Sequence, residues 1–386
     1  MGEAGILFVS HDATRTGAPV ALLHFLRWFK RNGNRPFSLL LPHDGELASE
    51  FEEVAETWSI DRSRWCPGGR RAQFLGAIGL GAQARRAHQA DAQRFAAGCS
   101  PALVYANSIS SAPAVDVLAP QVPVLTHVHE LEFAFRRNAS PALSRLLAKT
   151  HKFIACSNAV RGNLLGKYEV PAARVETVYE SIPVDEVRAE RTREQVLREL
   201  QIPVDALLVV GSGLGPWRKG TDLFVHLARE VCRQRDRAYF AWIGGSAEEI
   251  EQFEHDVNLS GLTEKMRLTG AVTKPADYFA AADVFVLTSR EDPYPLVCLE
   301  AAALQKPIVC FAGAGGMPEF VEEDCGFVVP YLDIMAMADR VVSLLDSPDC
   351  RLTMGAAARL KVAQRHDISR AAPRIMEIIE RTIAGG

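Results

Sequence analysis

The stretch DVFVLTSREDPYPLVCLEAAA, residues 283–303, decides the fold. Val284 to Leu287 is an apolar run of strand length, Thr288 to Pro295 is a polar, acidic, proline-broken turn, and Leu296 opens a helix that carries Glu300. Strand, loop and helix in that order form one unit of a parallel α/β sheet. In such a sheet ligands sit in the crevice beyond the carboxyl ends of the strands. A helix N-terminus there offers an anion amides that have no intrahelical acceptor. With carboxylates on both sides of the loop, the element reads as a nucleotide or sugar-phosphate site.

The same alternation runs through the chain. Apolar runs at Ile6–Val9, Phe37–Leu41, Leu103–Tyr105, Val122–Leu125 and Phe153–Ala155 are separated by helical stretches, and the pattern restarts at Leu207–Val210, Tyr239–Ile243, Val284–Leu287, Ile308–Cys310 and Phe327–Val329. Continuous apolar strands between helices predict parallel sheets covered on both faces, and two such sets predict two doubly wound α/β domains. A charged helical stretch from Val187 to Leu200 marks the boundary, giving domains 1–185 and 186–365. The final segment, Ile368 to Ile383, has one apolar face (Ile375, Met376, Ile378, Ile379, Ile383) suited to covering a core.

Length agrees, since 386 residues with 48% hydrophobic content suffice for two cores. No apolar run approaches the ~20 residues of a membrane span, and Glu3 followed at once by a strand argues against a signal peptide, so a cytoplasmic protein is expected. The eight cysteines are dispersed without a C-x-x-C pair and read as free thiols. Residues 1–185 hold 20 Lys and Arg against 17 Asp and Glu, the remainder 23 against 30, and the net charge is −4. No nucleic-acid partner is expected. Locally, Arg62 to Ala90 contains six arginines and no acid. That region is either a solvated helix face or, with Phe74, Leu75, Ile78 and Leu80 beside it, a patch for an anionic acceptor or the inner face of a membrane. Arg70 and Arg71 are its candidate acceptor contacts.

The chemistry gathers at the strand ends. The first strand runs into Ser10-His11-Asp12-Ala13-Thr14-Arg15-Thr16-Gly17, before a helix from Val20 to Phe29. Gly17 permits close approach of backbone to a ligand, but no G-x-G-x-x-G follows, which removes the main support for a nicotinamide dehydrogenase. Thr126-His127-Val128-His129-Glu130 ends another strand; a third metal ligand at useful spacing is lacking, so His129 reads as a hydrogen-bonding group for a polar substrate or as a structural histidine. Asp12 and His127 are candidates to orient an acceptor hydroxyl. In the second half, Gly211-Ser212-Gly213-Leu214-Gly215-Pro216-Trp217-Arg218-Lys219-Gly220 sets adjacent cations at a helix start, a site for a diphosphate that lacks the Walker spacing. Two further loops, at Gly244-Gly245 and at Ala312 to Glu319, are glycine-dense.

Together, the Lys219-Gly220 loop, the acid-x7-Glu element ending in Glu300-Ala301, Lys306-Pro307-Ile308-Val309 and Gly315-Gly316-Met317-Pro318-Glu319-Phe320 resemble family 4 of the retaining glycosyltransferases. The resemblance is strongest in the second domain and thinner in the first, at Thr16-Gly17-Ala18, Thr126 to Glu130 and Ser157-Asn158-Ala159. It implies the GT-B fold, two Rossmann-like domains facing each other across a cleft, with the last helix (366–386) completing the first. It implies further that Glu300 binds the donor ribose, Lys219 and the amides of Leu296 and Val297 hold the diphosphate, Gly17 approaches the same phosphates, and His129 faces the donor sugar. Gly213, Gly244, Tyr294 and Val272 complete the donor contacts. Asp292, or its neighbour Glu291, stands where the family has a glutamate; Gly213 stands where it has an arginine, a cation that Arg218 replaces. The implied partners are a UDP- or GDP-sugar and a glycan, lipid-linked or small-molecule hydroxyl. The expected chemistry is transfer with retention, without metal or cofactor. A sugar-nucleotide epimerase of the same fold and a non-catalytic sugar-nucleotide or glycan binder are the alternatives.

Overall fold

A computed structural model describes residues 4–59 and 81–385. The chain forms two units, Met1–Glu180 together with Ile368–Gly386, and Ser181–Asp367. In the first, β1 (Gly5–Ser10), β2 (Phe37–Leu41), β3 (Glu56–Ser59), β4 (Pro101–Asn107), β5 (Val124–Val128), β6 (Thr150–Ala155) and β7 (Val175–Thr177) make one sheet in the order β3-β2-β1-β4-β5-β6-β7. In the second, β8 (Leu207–Ser212), β9 (Ala238–Ile243), β10 (Met266–Leu268), β11 (Val284–Leu287), β12 (Ile308–Phe311) and β13 (Gly326–Val329) follow the order β10-β9-β8-β11-β12-β13. Every neighbouring pair is parallel.

The central strands β1 and β11 are buried at every residue, as parallel strands with helices on both faces must be. The strand order reverses between β1 and β4 in one sheet and between β8 and β11 in the other. At a reversal the flanking loops diverge and leave a crevice. Both Rossmann-like units therefore carry a switch point at the carboxyl ends of their central strands.

Three details differ from expectation. The strand expected at Val122–Leu125 lies at Val124–Val128, because Pro123 has no N–H to give a ladder. The helix expected from Val187 to Leu200 is confined to Arg193–Glu199. Thr192 Oγ1 accepts from the Gln195 amide (3.3 Å) and Gln195 Oε1 from the Thr192 amide (2.8 Å), a capping box that fixes the start of this helix late. The helix expected at Val20–Phe29 spans Gly17–Asn32, with Pro19 in its first turn.

The final helix, Ile368–Ala384, buries Ala371, Ala372, Ile375, Ile378 and Ile379 among Phe8, Phe25, Phe29 and Tyr105 in the core of the first unit. Arg35 grips Glu380 with two bonds, Nε to Oε1 at 2.7 Å and Nη2 to Oε2 at 2.8 Å. The apolar contacts carry most of this docking, since a pair whose carboxylate is still open to solvent contributes about 1 kcal/mol or less. Ile379→Ala should accordingly cost about 3 kcal/mol in denaturant unfolding. Arg374→Ala, at an exposed pair with Glu176, should cost about 0.5 kcal/mol or less. Equal losses in the two variants would contradict the core assignment.

Candidate functional site

The loops that diverge at the β8/β11 switch point hold the cations and acids singled out in the sequence. After β8 come Gly213, Leu214 and Gly215, then a single helical turn, Pro216–Lys219. Gly220, at φ 67°, turns the chain into the helix Thr221–Gln234. After β11 comes the loop 288–295, then the helix Leu296–Ala303.

Lys219 Nζ donates to Asp292 Oδ2 at 2.6 Å, and Ser289 Oγ donates to the same oxygen at 3.0 Å. Arg218 Nη1 lies 3.7 Å from Asp292 Oδ1 and donates to the Glu291 carbonyl at 3.2 Å. The Asp292 side chain is 6% exposed and that of Lys219 12%. Asp292 is held by its backbone as well, its amide donating to the Ala314 carbonyl (2.7 Å) and its carbonyl accepting from Gly316 (3.3 Å), so the glycine-dense loop anchors it. Of the two candidate acids, Asp292 is the buried one. Glu291 is partly exposed and meets Arg218 through its carbonyl. Burial opposes ionisation of Asp292, but the Lys219 and Arg218 charges outweigh it and hold the carboxyl below its usual range. Burial in turn pushes the Lys219 ammonium down, against the pull of Asp292.

Glycines make room for this pair. A Cβ on Gly213 would stand 2.8 Å from both Cγ and Cδ of Lys219, so the lysine stem lies across the bare backbone and an arginine here would displace it. A Cβ on Gly220 would stand 2.1 Å from the Thr288 carbonyl oxygen. Gly244 donates its amide to Gly270 (2.9 Å), tying the β9 loop to the β10 loop that carries Val272.

Glu300 lies in the second turn of the helix Leu296–Ala303, half-buried. Among the described residues its carboxylate has no hydrogen bond or ion pair, and burial pushes its pKa from 4.5 up to about 7. An unpaired carboxylate with a raised pKa at a switch point is a candidate functional group. Tyr294, expected among the donor contacts, is 4% exposed and its hydroxyl pairs with His366 Nε2 at 3.2 Å.

The remaining candidates lie in the first unit. His129 Nδ1 meets Glu180 Oε1 at 2.5 Å and Nε2 meets Asn107 Oδ1 at 3.0 Å. Burial lowers its pKa, but Glu180 outweighs this and raises it. His127 Nδ1 pairs with the Tyr105 hydroxyl at 2.7 Å, while its buried Nε2 has no partner among the described residues. Burial, with His129 beside it, keeps His127 neutral, well below the usual range. Asp12 closes its own turn, accepting from the amide (3.1 Å) and hydroxyl (2.9 Å) of Thr14. Gly17 is exposed with open space around it. Arg70, Arg71 and most of the basic region from Arg62 lie outside the described residues; Arg86 is exposed on the helix Gly81–Gly98. His129, Cys156 and Glu180 cluster within 4.8 Å, the one such potential metal-binding group among the described residues. The His129–Glu180 contact of 2.5 Å is closer than two ligands of one ion stand, so it is a hydrogen bond.

Sequence reasoning missed Ser289, Glu180, Asn107 and Glu249, whose Oε1 accepts from the Gly215 amide at 3.1 Å. Ser289, three residues before Asp292, was the one visible at short range.

The chain is similar to known proteins along most of its length. Residues 205–347 match the family model for glycosyl transferases group 1 and residues 15–186 that for glycosyltransferase family 4. The chain is 27% identical over 186 residues to the lipopolysaccharide core biosynthesis glycosyltransferase LpsD of Rhizobium meliloti, covering 48% of this chain and 53% of that one. It is 29% identical over 255 residues to the GDP-mannose-dependent alpha-(1-6)-phosphatidylinositol monomannoside mannosyltransferase of Mycobacterium tuberculosis, covering 62% and 64%. These matches thus span between half and two thirds of the relatives' lengths. The structure of Anabaena HepE in complex with UDP and glucose superposes with a TM-score of 0.81 at 17% identity, covering 98% of this chain and 100% of that one. The fold is GT-B.

Two measurements test the local reading. Gly220→Ala forces a left-handed backbone and a carbonyl contact on a side chain, and should destabilise the fold by more than ~1 kcal/mol in urea. Gly17→Ala, in open space, should stay within about 0.5 kcal/mol of wild type. For Glu300 the sign follows from its raised pKa: the folded state holds a proton more tightly than the unfolded one, so its contribution to stability falls as pH rises from 4.5 to about 7. Glu300→Gln should melt above wild type at pH 8, by on the order of 2 kcal/mol, with the gain vanishing towards pH 4.5. A gain independent of pH would contradict the raised pKa.

Proposed function

We propose that this chain, which belongs to the group 1 glycosyltransferases of family 4, moves a hexose from a UDP- or GDP-sugar to a hydroxyl acceptor with retention of anomeric configuration. The observation that carries the proposal is the pairing of buried Lys219 with Asp292 at the same switch point as Glu300, which has no partner among the described residues. A carboxylate accepts the two vicinal hydroxyls of a ribose, and an ammonium has three donors, of which Asp292 takes one. The other two, the Arg218 guanidinium and the amides of Leu296 and Val297, are left for a diphosphate.

Those cations stabilise the charge that develops on the diphosphate as the glycosidic bond breaks. The departing phosphate oxygen takes the proton of the acceptor hydroxyl, which attacks from the same face, so no protein nucleophile is needed. Asp292 turns its second oxygen towards the donor sugar. The HepE complex contains UDP and glucose, and the two relatives named above act, by their names, in lipopolysaccharide core and phosphatidylinositol mannoside synthesis. They support a nucleoside-diphosphate hexose as donor and a glycan or glycolipid as acceptor. Among the described residues no helix is long and apolar enough to cross a membrane. A lipid-linked acceptor would be met from the surface, for which we assign the Arg62–Arg86 region.

Lys219→Ala and Glu300→Ala should each lower transfer from the active sugar nucleotide by about 100-fold or more. The glycoside product, read by its anomeric proton coupling, should keep the donor's configuration. Inverted product, or near wild-type turnover in either variant, would overturn the mechanism, and conversion of the sugar with donor alone would point to an epimerase.

A further inference from the structure

Lys219 ends a helical turn of only four residues, Pro216–Lys219. The carbonyls at the end of a helix have no intrahelical donors, and so short a turn cannot hold itself in water. All of its last three carbonyls are nevertheless bonded, and each donor comes from the loop after β11. Arg290 Nη1 donates to the Trp217 carbonyl (2.9 Å), the Arg290 amide to the Arg218 carbonyl (2.8 Å), and Thr288 Oγ1 to the Lys219 carbonyl (3.1 Å).

Arg290 is itself fixed on every side. Its guanidinium forks onto Asp222, Nη1 to Oδ1 at 2.8 Å and Nη2 to Oδ2 at 2.7 Å, at the start of the next helix, and lies 5.6 Å from the centre of the Trp217 ring. Its carbonyl accepts from the Tyr331 hydroxyl at 3.2 Å. Its side chain is 14% exposed. A guanidinium at the carbonyl end of a helical turn also meets the favourable end of its dipole. One residue thus caps the Trp217–Lys219 turn and anchors the following helix, while its own loop delivers Asp292 two residues later.

We infer that Arg290 is a positioning residue for the diphosphate: it caps the turn that aims Arg218 and Lys219, and so makes the β8 loop and the β11 loop one rigid phosphate cradle. The inference rests on the donor site proposed above. Arg290 does not touch the ligand; it acts through the Trp217 and Arg218 carbonyls. Lysine cannot replace it fully, because a point charge cannot fork onto Asp222 and also reach the Trp217 carbonyl. Asp222 shares the role from the outer side of the fork.

The test is calorimetric titration of wild type, Arg290→Ala, Arg290→Lys and Asp222→Ala with UDP, GDP, UMP and GMP, alongside their melting temperatures. Wild type must first bind UDP or GDP; if it binds neither, the donor site itself fails, and Arg290 has nothing to position. Given binding, Arg290→Ala should weaken the diphosphate about tenfold, a difference of about 1.4 kcal/mol, and the corresponding monophosphate less than twofold. Arg290→Lys and Asp222→Ala should fall between Arg290→Ala and wild type. Diphosphate affinity unchanged in Arg290→Ala, or equal losses for di- and monophosphate, would overturn the inference. Should Arg290→Ala fail to fold, the same selective loss in Arg290→Lys and Asp222→Ala supports it, and its absence there overturns it.

Discussion

The ion pair between Lys219 and Asp292 is the constraint around which the second unit is built. Taking two charges out of water costs several kcal/mol per ion unless geometry and further hydrogen bonds compensate. Here the compensation comes from separate pieces of chain: Ser289 Oγ on the same carboxylate oxygen, Arg218 near the other, and the Ala314 carbonyl and Gly316 amide on the Asp292 backbone. Strand order makes this possible, since β8 and β11 are neighbours in the sheet although 71 residues separate the end of β8, Ser212, from the start of β11, Val284. The glycines follow from the same constraint. Gly213 clears a path for the lysine stem, and Gly220 lets the turn approach the Thr288 carbonyl.

On the proposed function, ligand binding and stability pull in opposite directions at Glu300. A half-buried carboxylate with no partner among the described residues has its pKa raised to about 7, a cost that a packing residue in its place would not impose. Lys219 and Asp292 resolve the same conflict differently, by pairing. On the proposed function, this mixture of satisfied and unsatisfied charge is a site kept ready for its ligand at a cost in local stability.

Much of this was legible in the chain. Long apolar runs such as Phe37–Leu41 and Val284–Leu287 are strands at the residues their composition indicates. The glycine-cation and acidic loops could be read because they interrupt those runs at the strand ends. The short edge strands β3, β7 and β10 were not legible; Glu56–Ser59, Val175–Thr177 and Met266–Leu268 carry too little periodicity to stand out, and pairing with one neighbour forms them. The burial of Asp292 rather than Glu291 depends on backbone bonds to Ala314 and Gly316, and the His129–Glu180 bond joins residues 51 positions apart. The Tyr294–His366 contact joins residues 72 positions apart. Contacts of that range belong to the tertiary fold, and no local pattern encodes them.

The central claim is that the β8/β11 switch point of the second unit receives the diphosphate of a sugar nucleotide. Its most direct test is a crystal structure of the protein with whichever of UDP and GDP raises its melting temperature more. The diphosphate oxygens should lie within hydrogen-bond distance of Lys219 Nζ and the Leu296 and Val297 amides, with the ribose hydroxyls on Glu300. A nucleotide bound elsewhere, with the Lys219–Asp292 pair untouched and Glu300 still unpartnered, would contradict it.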